Sequence, residues 1–348
     1  LEEKIDIRNI SLEDLIIALK EMGEQSFRAK QIYTWIWQKS VTDFESMTNL
    51  SLPLRNALSA RFTFKPVRIY QEQISSDGTV KCAFVLHDNR LVEGVLIPTE
   101  TRMTACVSSQ VGCSLDCKFC ATGYLKRERN LEAAEIYDQV VLLNKVAQER
   151  YGIPLSNIVF MGMGEPLLNY ANVMQGIAHL TGEHGLNLSP KRITVSTAGI
   201  VKMIRKMAEE AVRFNLALSL HAATNEKRSA IMPINASNPL EELSEALRYF
   251  FQKTGNQITL EYAVMNDTND GKEEAAELVK FASVIPKVKV NLIEYNPIES
   301  AAYKSPGMDK IEQFAAALKR KGVLTVIRRS RGKDIDAACG QLANKLEV

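Results

Sequence analysis

From about residue 104 onward, short runs of strand-forming residues alternate with amphipathic helical stretches, and no other feature of the chain restricts its fold as tightly. The strand-like runs are 104–109, 157–163 (NIVFMGM), 192–197 (RITVST), 214–220 (FNLALSL), 258–265 (ITLEYAVM), 288–295 (VKVNLIEY) and 323–328. Helical stretches lie near 131–149, 170–184, 201–211, 239–253, 272–284 and 308–321. Asn238-Pro239, as cap and first residue, and Gly255, as stop, bracket one of them. Repeated βα units require a parallel sheet with right-handed crossovers. Six units suit an open or partial (β/α)6 barrel better than a closed eight-stranded one. The expected fold class is α/β.

Two different patterns precede the barrel. Residues 1–65 read as a small helical accessory domain: Ser11 with Asp14 resembles a capping box, Gly23 is a stop, and Pro53 opens a further helix. FRAKQIYTWIWQK places Phe27, Ile32, Trp35 and Ile36 on one stripe. Residues 66–100 read as a short antiparallel meander, with turns at Asp77-Gly78 and Asp88-Asn89. Residues 101–348 are then the barrel and a carboxy-terminal segment. A chain of 348 residues is long enough for this division at about 150 residues per domain. With 46% apolar and 24% charged residues it is neither disordered nor collagen-like. No window has the roughly 20 uncharged apolar residues of a membrane span, and the first ten residues lack the features of a secretory signal. A cytoplasmic monomer without membrane contact is expected.

Residues 319–333 (KRKGVLTVIRRSRGK) carry seven basic side chains and no acid, so the remainder of a chain of net charge +2 stands at −5. Lys118, Lys126, Arg127 and Arg129 form a second cluster around one acid, Glu128. Such patches on an acidic body indicate a face for a polyanion, or else a solvated helix end and loop. Phe27, Arg28, Lys30, Trp35 and Trp37 could extend that face, and core packing is the competing role for the two tryptophans.

Six cysteines occur: Cys82, Cys106, Cys113, Cys117, Cys120 and Cys339. Four fall within fifteen residues, a density that indicates metal ligation in a reducing compartment. Cys113, Cys117 and Cys120 form a C-x3-C-x2-C run just after the first barrel strand. Three thiolates on one loop can hold three irons of a [4Fe-4S] cluster. The fourth iron is then open to a chelating amino and carboxylate group, which S-adenosylmethionine offers. Zinc completed by a distant Cys or His is the other reading of the spacing. In such barrels the site lies at the carboxyl ends of the strands. There Gly164, Glu165, Ser196, Ser219, Leu220, His221 and Asn296 stand as candidate cofactor contacts. Glu165 could take the methionyl ammonium.

The segments ACVSSQVGCSLDCKFCATG, MGMGEPLLNY, ITVSTAGI, LALSLHAA, LIEYNPI and DIDAACGQL, in this order and spacing, resemble the radical-SAM adenosine C2 methyltransferases of 23S rRNA and tRNA, the RlmN family. The resemblance covers almost the whole chain. The sibling Cfr-type C8 methyltransferases share the cluster and the last cysteine. Pro166 and the approach RRSRGKD look more like the C2 branch. The stretch Tyr124–Arg129 is poorer in glycine than that family's pattern.

The resemblance implies a radical-SAM partial barrel, two S-adenosylmethionine molecules per turnover, and an external flavodoxin-like or ferredoxin-like electron donor. It implies that Cys339 becomes an S-methylcysteine intermediate. It makes Cys106 the thiol that resolves a covalent RNA adduct through a transient disulfide, and Glu93 a proton acceptor. Taken alone, Cys106 reads as a buried strand cysteine, Cys339 as a loop thiol and Glu93 as an exposed strand carboxylate.

Overall fold

The structure, a computed structural model, describes residues 4–343. The amino-terminal unit holds α1 (Leu12–Glu21), α2 (Phe27–Tyr33) and α3 (Leu52–Arg61). Ser11 Oγ accepts from Asp14 N and Ser51 Oγ from Leu54 N, so α1 and α3 have their first turns capped, whereas Ser26 before α2 makes no such bond. The α2 stripe differs from its periodicity. Thr34–Gln38 widen into a π-turn, and the extra residue per turn brings Trp37 inward beside Ile36 while Trp35 stays partly exposed and Phe27 is exposed. Trp37, 1% exposed, stacks on His179 at 3.6 Å between ring centroids and meets the edge of Tyr137 at 5.0 Å. Trp37 is therefore a core residue that joins this unit to the barrel.

Ten strands form one sheet whose spatial order follows the chain from edge to edge. They are β1 (Arg68–Ile74), β2 (Val80–Val85), β3 (Leu91–Pro98), β4 (Met103–Cys106), β5 (Asn157–Phe160), β6 (Ile193–Thr197), β7 (Asn215–Ser219), β8 (Ile258–Val264), β9 (Lys289–Glu294) and β10 (Thr325–Arg328). β1 to β4 pair antiparallel, so the meander continues the barrel sheet through β3 and β4. From β4 to β10 every neighbour is parallel. The crossovers carry α4 (Ala133–Tyr151), α5 (Tyr170–Thr181), α6 (Val201–Glu209), α7 (Asn225–Ile231), α8 (Leu240–Thr254), α9 (Lys272–Ser283) and α10 (Met308–Arg320). The result is six strand–helix units and a closing seventh strand, an open partial (β/α)6 barrel.

Two local differences from the sequence reading have simple causes. Pro239, not Asn238, caps α8, and Asn238 Oδ1 instead accepts from Val201 N to start α6 at 2.9 Å. β4 and β5 end before their apolar runs do, because residues 107–110 and 161–164 bend across the barrel mouth. There Val107 N bonds Val159 O and Ser109 N bonds Met163 O. Close approach makes two glycines obligatory: a Cβ on Gly162 would meet Val107 carbonyl at 2.8 Å, and one on Gly164 (φ +91°) would meet Gln110 at 2.5 Å.

The amino-terminal unit is tied to the barrel by a buried charge cluster. Arg8 donates to both oxygens of Asp138 on α4, at 2.9 and 2.7 Å, and to Asp6 at 2.8 Å. Asp138 also accepts from Val67 N at 3.0 Å. Removing one member strands the others in a dry site. Asp138→Ala is expected to lose about 3–5 kcal/mol, read as a lower urea midpoint at unchanged m-value.

Candidate active site

Beyond β4, Gln110–Val111 pair antiparallel with Arg129–Asn130 and close the neck of the loop that carries Cys113, Cys117 and Cys120. All three cysteines line one cavity of about 1020 Å³, its open mouth included. Under the loop lies a small apolar cluster that includes Leu115, Ile231, Met232 and Tyr295, with Cys113 and Cys117 packed against it. Lys118 N bonds Ile231 O at 2.9 Å, so α7 is the floor of the loop. Burial pushes the Cys113 thiol up to about 11 and raises Cys117 and Cys120 as well. Such thiols ionise at neutral pH only against bound metal.

Among the described residues, no group of three or more His, Cys, Asp or Glu converges as a single metal ion requires. The three thiols line one cavity and lie close enough to raise one another's pKa, an arrangement in which they can share a multi-iron cluster. Behind Cys117 sits Arg228, 0% exposed, which donates to the carbonyls of Ala198 (2.5 Å), Leu220 (3.2 Å) and Ser219 (3.3 Å) and to Asn235 Oδ1 (2.8 Å). All four acceptors are neutral, and burial lowers its pKa to about 10 against the opposing pull of Cys117. A buried cation here matches an anionic thiolate cluster.

Gly164, Glu165, Ser196, Ser219, His221 and Asn296 line the same cavity from the ends of four strands, Gly164 and Glu165 sharing the loop after β5 and Ser219 and His221 the end of β7. Leu220 is not on its wall: the side chain is buried in the core and its carbonyl accepts from Arg228. Glu165 is held by Leu167 N on Oε1 (3.0 Å) and Ala198 N on Oε2 (2.7 Å), and burial raises its pKa. With the Thr197 side chain as a further hydrogen-bond partner, the carboxylate still has lone-pair capacity on its cavity side for a ligand ammonium. Ser196 and Ser219 hydroxyls lie 3.4 Å apart. His221 Nδ1 accepts from Ala263 N at 3.0 Å, which leaves the proton on Nε2, and burial lowers the imidazole to about 3, so it is neutral at pH 7. Asn296 Nδ2 donates to Cys339 O at 3.2 Å, while its buried Oδ1 has no hydrogen-bond partner among the described residues. Three thiols, a strand-end carboxylate and an unsatisfied amide oxygen around one cavity fit a [4Fe-4S] cluster and S-adenosylmethionine.

A second cavity of about 1750 Å³ continues into the barrel and shares Cys339, Arg328 and Glu261 with the first. Cys106 lines only this second one, and burial pushes its thiol up to about 12. Arg328 interacts with Cys339, then Glu261, then Cys106, and its Nη1 lies 3.9 Å from Glu261 Oε2. Arg102, Lys289, Arg329 and Arg331 add positive charge to the walls. Glu93 is buried, not exposed, and stands on neither wall. It faces a smaller cavity with Lys81 and Asp336, where Oε2 accepts from Ala343 N at 2.8 Å and Oε1 is 3.5 Å from Lys81 Nζ.

The basic clusters are rearranged too. Lys319–Lys321 close α10 at the end of β10 opposite to Arg328–Arg331. Arg129 is committed to Asp88 and Glu135, which leaves Lys118, Lys126 and Arg127 exposed. Three site residues escaped the sequence reading: Arg228, Glu261 and Arg328. Only Glu261 had a signal, as the lone charge in the apolar run ITLEYAV, all seven residues of which are buried.

The segment carrying Cys339 is clasped from two sides. Asp334 accepts from Ser75 Oγ (2.5 Å) and Ser76 N (3.0 Å), and Asp77 accepts from Gly332 N (3.0 Å). Opposite, Ala121 N bonds Gly340 O and Thr122 Oγ1 bonds Leu342 O, both at 2.7 Å. Asp77→Ala/Asp334→Ala is expected to raise amide hydrogen exchange over residues 331–343 at least tenfold while leaving the core strands protected.

Comparison with known proteins accords with this geometry. Residues 5–63 match the family model described as "Ribosomal RNA large subunit methyltransferase N-terminal domain", and residues 107–281 match that of the radical SAM superfamily. A relative from Cytophaga hutchinsonii, described as "Probable dual-specificity RNA methyltransferase RlmN", is 57% identical over 97% of this chain and 93% of its own. One of the same description from Flavobacterium psychrophilum is 53% identical over 99% of both chains. The crystal structure of a radical SAM methyltransferase from Sphaerobacter thermophilus superposes with a TM-score of 0.91 at 39% identity, covering 97% of this chain and 99% of that one. No helix of the described residues is long and apolar enough to cross a membrane. The chain belongs to the RlmN family and has the radical SAM fold.

Proposed function

We propose that this chain is a radical S-adenosylmethionine RNA methyltransferase that places a methyl group on C2 of an adenosine in 23S rRNA and in tRNA, in the cytoplasm. The observation that carries the reading is the position of Cys339, on the wall between the cavity of the three loop thiols and the cavity of Cys106. When bound, a [4Fe-4S] cluster fed by an external electron donor, together with two S-adenosylmethionine molecules, supplies a methyl group and a 5′-deoxyadenosyl radical.

Adenine C2 is electron-poor and cannot attack a sulfonium, so the carbon must reach it as a radical. Cys339 is placed to accept the methyl group by displacement, with the Arg328 guanidinium beside it. Loss of hydrogen from the S-methyl group leaves a carbon radical on the Cys339 side chain, which adds to C2; one electron then passes to an external acceptor and the C2 hydrogen leaves as a proton to a base, which restores the aromatic ring. The Cys106 thiolate then attacks the Cys339 sulfur. The carbon–sulfur bond breaks with its electron pair on carbon, which takes a proton, and a Cys106–Cys339 disulfide remains. Exposed Lys118, Lys126, Arg127, Arg329 and Arg331 and the amino-terminal unit hold the RNA backbone. The target base leaves its stack to reach Cys339.

Anaerobically reconstituted protein given dithionite is expected to release 5′-deoxyadenosine, and RNA digested after reaction to contain 2-methyladenosine. Methyl at C8 instead would place the chain with the sibling family, and a colourless, iron-free protein would end the reading. Cys339→Ala is expected to abolish RNA methylation while cofactor cleavage continues. Cys106→Ala is expected to accumulate a protein–RNA adduct on denaturing gels.

A further inference from the structure

We propose that Glu261, rather than Glu93, is the base that takes the proton from the target carbon; the proposal rests on the C2 reading above. Glu261 is 4% exposed and sits in the middle of β8, a strand with every residue buried. A charge in such a run has to be compensated or used. Its Oε1 accepts from Asn291 Nδ2 on β9 at 2.8 Å, which orients the carboxylate. Its Oε2 has no hydrogen-bond partner among the described residues, and Arg328 Nη1 at 3.9 Å is within charge contact but too far to donate.

Glu261 lines both cavities, as Cys339 does, and Arg328 couples it to Cys339 and Cys106. Glu93 reaches neither cavity and is occupied with Ala343 N and Lys81. Burial raises the Glu261 pKa, which makes the carboxylate a stronger base than a solvated one.

The step balances as follows. Once the carbon on the Cys339 sulfur has bonded to C2 and one electron has passed to an iron–sulfur acceptor, C2 carries both its original hydrogen and the new carbon. Glu261 Oε2 takes that hydrogen as a proton, and the C–H electron pair enters the ring and restores its aromaticity. The carboxylic acid so formed is the nearest proton source for the carbon released when Cys106 breaks the carbon–sulfur bond.

The test uses full-length, cluster-loaded protein and an RNA substrate deuterated at the target C2. Glu261→Gln keeps the shape of the side chain and removes the base. It is expected to retain iron and methylated Cys339, to lower 2-methyladenosine formation by about 10²–10⁴-fold, and to accumulate an adduct that still carries deuterium. The Cys106→Ala adduct, and any adduct formed by Glu93→Gln, is expected to have lost it. Should Glu261→Gln fail to hold iron, Glu261→Asp, which keeps the carboxylate, is expected to form product slowly with deuterium lost. Wild-type product yield from Glu261→Gln, an adduct without deuterium, or no adduct from variant protein with methylated Cys339 overturns the assignment. Failure of the wild-type protein to make 2-methyladenosine would instead sink the C2 reading.

Discussion

The backbone bond from Ala121 to Gly340, reinforced by Thr122 on Leu342, joins the cysteine loop to a segment more than 200 residues later. Cys339 is far in sequence from Cys106 and the loop thiols, and nothing local would bring it back. The chain recovers the entropy of that long closure through several small bonds made together. Asp334 and Asp77 hold the approach, Asn296 holds Cys339 carbonyl, and Glu93 holds the chain just beyond. Each bond is worth on the order of 1 kcal/mol. Ala337 and Leu342 anchor the segment in the core on either side of Cys339, whose own side chain stays exposed.

The barrel supplies what those bonds fasten onto. Parallel strands place all their carboxyl ends at one mouth, so groups from β5, β6, β7 and β9 meet around a single cavity. The antiparallel strands extend the same sheet and lend its turn at Ser75–Asp77 to the Cys339 segment. Charges divide the interior into two regions: buried Arg228 stands behind the thiol loop, and partly exposed Arg328 stands with buried Glu261 beside Cys339 and Cys106.

The barrel was legible because hydrophobic period reports burial, and burial is what turns a segment into a strand or a crossover helix. The thiol loop was legible because its three ligands lie within eight residues of one another. The α2 stripe was misread where the helix widens, since a π-turn at Thr34–Gln38 changes the period itself. Arg228 and Arg328 were missed because an arginine in a sequence looks solvent-bound. Only the packing of α7 under the loop removes water from Arg228, and only the pairing of β10 with β9 turns partly exposed Arg328 onto the cavity wall. Glu93, which the sequence alone presents as an exposed strand carboxylate, is buried because the Cys339 segment covers it, and it faces a smaller cavity.

The sequence by itself determined the strand and helix order, the ligand loop and the membership of a family, because each depends on residues near one another in the chain or on motifs in a set order. The tertiary structure alone decided that Glu261 lines the cavity walls beside Cys339, that Arg228 is buried, and where Cys339 stands. Those depend on the register between strands and on long-range bonds that no local pattern encodes, since one residue of register moves a side chain to the opposite face of the sheet.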